Sequence, residues 1–155
     1  MFANALLTLR DGEAFATTAS RYFTGRPDTP TEGRLLLKIT IEGLPTTAAV
    51  DTGAPYLVCD PALSPLLAPY LTDPLGWVSL GIRRETYQGE LYLLTAEIIA
   101  HEGEGVRVQA TTFIPRLSPG QQWLLPSFIG WTGMLERLRF AVDPASDTFY
   151  FGPLS

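Results

Sequence analysis

Carboxylates dominate the chemistry this sequence can offer. Its 155 residues hold 16 Asp and Glu but one histidine, His101, one cysteine, Cys59, and one lysine, Lys38. A Ser-His-Asp or Cys-His site would have to use His101, which sits in the turn-like stretch His101-Glu102-Gly103-Glu104-Gly105. Nothing around Cys59 or any serine points to that imidazole. One histidine and one cysteine are poor stock for zinc. No G-x-G-x-x-G follows a strand pattern, and no lysine sits in a phosphate-cradling loop. Metal, nucleotide and cofactor chemistry are therefore not expected.

Most of the carboxylates lie in polar or turn contexts, where solvation accounts for them. Asp51 does not. It ends the apolar stretch Ala48-Ala49-Val50 and is followed by Thr52-Gly53-Ala54. A charge leaving a buried strand is costly unless it is paired or functional. Gly53 permits a tight turn and close approach of another segment. Thr52 offers a hydroxyl able to hydrogen-bond across an interface. Taken alone, the three residues read first as an Asx-type turn capped by Asp51, with Gly53 in a left-handed conformation, because D-T-G occurs by chance in many proteins.

The wider setting resembles a known family. Ala49-Val50-Asp51-Thr52-Gly53-Ala54 is similar to the active-site motif of the retropepsin-like aspartic proteases. Phe128-Ile129-Gly130 resembles the segment that crosses behind the active-site loop in that family. The resemblance spans roughly residues 35–152. It implies an all-β closed, orthogonal barrel of the acid-protease type with one short C-terminal helix. It also implies a catalytic Asp51, with Thr52, Gly53 and Ala54 holding the loop and the dimer register. Phe128, Ile129 and Gly130 would support that loop from behind. A flap would come from Gly81, Ile82, Arg83, Arg84, Glu85, Thr86, Tyr87, Gln88 and Gly89, with Gly81 and Gly89 as hinge points.

Only one Asp motif is present, because Trp131-Thr132-Gly133 has tryptophan where a second aspartate is needed. The chain is also too short for two lobes. A catalytic pair then needs a homodimer about a two-fold axis, each subunit giving its Asp51. Two departures from the family pattern bear on substrate recognition. Pro55 stands where retroviral members usually carry an aspartate, and Trp131 where they carry its arginine partner. Both halves of that ion pair are absent together, an apolar replacement that can be neutral for stability.

The elements that must position these residues are mostly strands. Leu35, Leu37, Ile39 and Ile41 alternate with Leu36, Lys38, Thr40 and Glu42, the period of a strand with one buried face. Gly43-Leu44-Pro45 reads as a turn, and Thr46 to Val50 as a strand entering Asp51. A short strand is expected at Tyr56 to Cys59 and a brief helix from Pro61. Extended segments follow at Trp77 to Ile82 and Tyr87 to Ala100, then a return from Val106 to Ile114. Trp131, Met134, Leu135 and Leu138 have helical spacing, with Thr132 as N-cap. Phe140 to Val142 and Thr148 to Phe151 close the chain around an Asp143-Pro144 turn. Phe149, Tyr150 and Phe151 could fill the subunit's own core or pack into a partner. Residues 1–30, which have no clear period and include the loop Arg26-Pro27-Asp28-Thr29-Pro30, are assigned as an N-terminal extension or arm. Residues 31–155 form the domain.

With 46% hydrophobic and 17% charged residues, the composition is that of one compact domain and not a disordered chain. A net charge of −5 and scattered arginines argue against nucleic acid. No signal peptide or bilayer-length apolar run is visible, and the lone cysteine rules out an intrachain disulfide. A cytoplasmic protein with no membrane partner is expected. Three readings separate on simple grounds. The first is a homodimeric aspartic endopeptidase acting on peptide or protein substrates. The second is a catalytically silent peptide- or protein-binding module on the same fold. The third is an unrelated β-protein with a chance D-T-G turn, which would be a monomer.

Overall fold

A computed structural model describes residues 5–24 and 34–154. The loop expected at Arg26–Pro30 lies outside them. The described chain is built almost entirely of strands: β1 (Leu7–Thr8), β2 (Ala14–Ala16), β3 (Thr18–Arg21), β4 (Leu36–Ile41), β5 (Leu44–Val50), β6 (Leu57–Val58), β7 (Gly76–Ile82), β8 (Glu85–Ile98), β9 (Glu102–Gly103), β10 (Arg107–Arg116), β11 (Ser127–Ile129), β12 (Leu138–Asp143) and β13 (Thr148–Pro153). The α-helix α1 (Ser64–Leu67) is one turn long. Three 3-10 turns, at Pro61–Leu63, Ala68–Tyr70 and Leu135–Arg137, complete the described elements.

Six strands close into a barrel in the order β10-β6-β11-β5-β4-β8, with β8 pairing back onto β10 and β7 extending the sheet beyond β8. Closure removes the exposed edges that an open sheet would present. The period-two reading of β4 holds: Leu37, Ile39 and Ile41 are fully buried. Burying side chains of this kind stabilises the fold by roughly 1.5–3 kcal/mol each. They pack in one cluster with Leu57, Leu94, Ile98, Ile114, Ile129, Phe149 and Phe151. The β4–β5 turn falls on Glu42 and Gly43, both at positive φ, one residue earlier than the glycine-proline spacing suggested.

A second sheet, β12-β13-β3-β9, joins the two ends of the described chain. Here β13 has β12 on one side and β3 on the other, with Thr148 opposite Arg21 and Phe151 opposite Thr18. Phe149 and Phe151 are fully buried in the subunit's own core. Of the two packings open to them in the sequence, the internal one is what the structure contains.

The C-terminal helix expected at Trp131–Leu138 is shorter than its spacing implied. Thr132 and Gly133 form a turn, Gly133 has φ of +71°, and only Leu135–Arg137 is helical, as a single 3-10 turn. Met134, Leu135 and Leu138 are nevertheless buried, so the apolar spacing reports a wrapped turn and not a regular helix. The brief helix after Cys59 does start as expected. Asp60 accepts a hydrogen bond from the Ala62 backbone N–H, and Pro61 takes the first position. No helix among the described residues is long and apolar enough to cross a membrane.

Candidate active site

Asp51 follows the last residue of β5, where the strand leaves the barrel. The segment Phe128–Trp131 runs beside the loop it begins. Strand β11 lies parallel to β5, with Phe128 opposite Ala49 and Ile129 opposite Val50. Beyond the ladder three backbone bonds continue the contact. Asp51 N–H donates to Ile129 O at 2.9 Å, Gly130 N–H to Tyr56 O at 2.8 Å, and Trp131 N–H to Ala54 O at 2.7 Å. The structure therefore brings Asp51–Ala54 and Phe128–Gly130 together, although they lie far apart in sequence. Gly130 is glycine for a steric reason: an added Cβ would fall 2.2 Å from Tyr56 O and 2.5 Å from Ala54 O.

The loop is also tied to itself. Gly53 N–H donates to Asp51 Oδ1 at 3.0 Å, and Ala54 N–H to Asp51 O at 3.1 Å. This is the Asx-type turn foreseen from the sequence, but Gly53 is not left-handed; the positive φ belongs to Tyr56, at +62°. Asp51 is half-buried, and Thr52 and Gly53 are exposed. Among the described residues, no hydrogen bond reaches the second carboxylate oxygen of Asp51.

A cleft of about 170 Å³ opens beside this carboxylate. Asp51, Gly53, Ala54, Pro55, Val58 and Phe128 form one side; Leu80, Gly81, Ile82 and Arg83 of the β7–β8 hairpin form another; Arg34 completes it. The hairpin turns on Arg83-Arg84, with φ of 48° and 70°, the backbone of a two-residue type I′ turn. Of the residues assigned to a flap, Gly81, Ile82 and Arg83 line the cleft, whereas Arg84, Glu85, Thr86, Tyr87, Gln88 and Gly89 do not.

The returning strand of the hairpin is anchored. Tyr87 is buried, packs edge-on against Trp123 at 4.9 Å, and its hydroxyl donates to Glu85 at 2.7 Å. Burial, with the Glu85 carboxylate next, pushes the Tyr87 phenol above its ordinary range. Gln121 Nε2 donates to Thr86 O at 3.1 Å. Gly89 sits opposite Pro115 of β10, where a Cβ would meet Ile114 O at 2.2 Å. Its glycine thus has a packing cause, whereas a Cβ at Gly81 would meet open space.

Beside the hairpin base, Glu90 accepts from the Tyr92 hydroxyl at 2.6 Å and from Arg116 Nε at 2.9 Å, and Arg116 Nη1 donates to Ser64 Oγ at 3.1 Å. The Tyr92 bond, with help from Arg116, holds the Glu90 carboxyl below its ordinary range against the opposing effect of burial. Cys59 is buried and its thiol pushed up to about 12 by burial, with the Asp60 carboxylate adding to it. That places it far from nucleophilic use. His101 Nδ1 accepts from the Arg21 N–H at 2.9 Å on the second sheet and takes no part in the cleft. Among the described residues no cluster of His, Cys, Asp and Glu fits a metal ion.

Arg34 is the cleft residue that sequence reasoning passed over. It stands one position before the alternating run of β4, where the pattern drew attention only to the strand. Its guanidinium lies over the Phe128 ring at 5.5 Å, and its enclosed Nη1 has no hydrogen-bond partner among the described residues.

No family model and no curated protein matches the chain. Among solved structures it is similar to a retropepsin-like aspartic protease from Rickettsia conorii, with 17% identity over 88% of this chain and 94% of that one and a TM-score of 0.49. A likeness of that order assigns no chemistry, which has to come from the site's own residues.

Proposed function

We propose that this chain is half of a homodimeric aspartic endopeptidase whose two Asp51 side chains share one site. The observation that carries the reading is the Asp51 loop itself. One carboxylate oxygen is oriented by the Gly53 N–H, the other has no partner among the described residues, and both sit at a cleft under a hairpin. Among the described residues of the cleft, Asp51 has no second carboxylate to divide acid and base roles with. Thr52 and Gly53 point outward beside it, a face on which a two-fold copy would bring the second Asp51.

Two carboxylates in hydrogen-bond reach hold one proton between them. The ionised one takes a proton from water as that water attacks the peptide carbonyl carbon. The protonated one donates to the carbonyl oxygen, giving a tetrahedral diol. A proton then passes to the leaving nitrogen as the carbon–nitrogen bond breaks. Thr52 would hold the two loops in register across the axis. The hairpin would cover the peptide. No nucleic acid, membrane or cofactor enters the scheme, and a cytoplasmic setting fits it.

The anchored strand of the hairpin favours a second reading, a silent peptide-binding module, because a cover pinned at Tyr87 opens less readily. Incubating a mixed peptide library from pH 3 to 8 with wild type and Asp51→Asn separates the two. Cleavage by wild type alone, strongest on the acid side, is expected. If neither protein cuts at a concentration where the dimer forms, turnover is excluded and the binding module stands.

A further inference from the structure

We propose that Arg34 makes this cleft selective for peptides carrying an acidic side chain beside the bond bound at Asp51; the inference rests on the reading of the cleft as a peptide site. Among the described residues, the charged lining of the cleft is Arg34, Arg83 and the carboxylate of Asp51. Its remaining lining is apolar or small, from Ala54, Pro55, Val58, Leu80, Ile82 and Phe128. Arg34 is half-buried, and among the described residues no carboxylate pairs with it.

An enclosed guanidinium nitrogen without an acceptor is uncommon, because the lost hydration is not made good. Stacking on Phe128 compensates in part and holds the planar group in place. What it lacks is an acceptor, and the acceptor that fits a guanidinium fork is a carboxylate. Pro55, in the same wall, has no side-chain acceptor to give. No described residue of the chain supplies that carboxylate. A peptide's acidic side chain is the supply that the cleft's position beside Asp51 favours.

The test uses full-length protein and apolar octapeptides carrying Asp, Glu, Asn or Gln at one position in turn. Cleavage is read with wild type, Arg34→Gln and Arg34→Lys. Binding is read by fluorescence anisotropy with the same Arg34 variants in an Asp51→Asn background, and the oligomeric state is measured for each. Wild type is expected to prefer Asp or Glu over its amide at one subsite by about ten- to a hundredfold, the worth of a hydrogen-bonded charge. Arg34→Gln should erase that preference, lowering cleavage and binding of the acidic peptides far more than of their amides, and Arg34→Lys should restore part of it. Equal losses for acid and amide peptides would overturn the proposal. So would conversion of a dimer to monomer by Arg34→Gln, which would place the missing carboxylate on a second copy. A preference only for a peptide's terminal carboxylate would also overturn it. Acid-selective binding without any cleavage leaves Arg34 in its role and removes the protease reading. Cleavage without acid selectivity does the reverse.

Discussion

A methyl group added at Gly130 would lie 2.2 Å from Tyr56 O, inside a contact that three backbone hydrogen bonds maintain. Gly130→Ala should therefore destabilise by about 3 kcal/mol or more, since backbone on both sides has little room to yield. Gly81→Ala, which meets open space, should change stability by less than about 1 kcal/mol. Urea unfolding of both checks the contrast, and equal midpoints would contradict the packing described. Glu90 supplies a pH signature. Its folded carboxyl is held low by Tyr92 and Arg116, so its contribution is complete above the ordinary carboxylate range. It is lost as pH falls through the depressed folded value. The stability gap between wild type and Glu90→Gln, of about 1–2 kcal/mol near neutrality, should thus shrink on going from pH 6 to pH 3. Cys59 should resist thiol reagents at pH 8 until the protein unfolds, because burial keeps it both protonated and covered. Rapid labelling of native protein would show that strand β6 opens.

The β7–β8 hairpin puts arginines at both positions of a turn whose backbone suits asparagine and glycine. Arg84→Gly should raise the urea midpoint by the equivalent of roughly 1 kcal/mol, because the left-handed backbone is relieved of a Cβ. A turn kept against its own propensity, with Arg83 in the cleft wall, is consistent with a role for that side chain in what binds there. Elements like these also show what one sequence can reveal. Strand β4 was legible because it has one wet face and one dry one, and that alternation is written residue by residue. The Asp51 loop and the Phe128–Gly130 segment were legible as motifs. Their hydrogen bonds, three-dimensional and remote in sequence, were not. The helix expected at Trp131 became a turn because Gly133 adopts a left-handed φ against Thr111, a tertiary fit that helical spacing does not encode. Strands β1 to β3 lacked a period because each is short; β1 and β2 pair with each other, and β3 takes its pairing from the distant β13 and β9. Arg34 gave no signal, since a lone arginine before a strand is ordinary until its neighbours are known.

At the scale of the whole molecule, the half site per chain that we propose would make turnover a property of concentration. Below the dimer's dissociation constant the rate should rise with the square of chain concentration, and above it linearly. Sedimentation run beside a dilution series of activity tests this, and a linear rate through the monomer range would remove the shared site. The sheet that unites β3 with β13 has a consequence in time. During synthesis β3 is made long before β9 and β13, so over that interval Ala19 and its neighbours have no ladder to enter. An unpaired edge is open to any passing strand, and contacts so remote in sequence form slowly. The nascent chain is thus most vulnerable to misassociation just before β13 is made, and a chaperone that shields β3 until then should raise the yield of folded protein more than one that acts on the finished barrel.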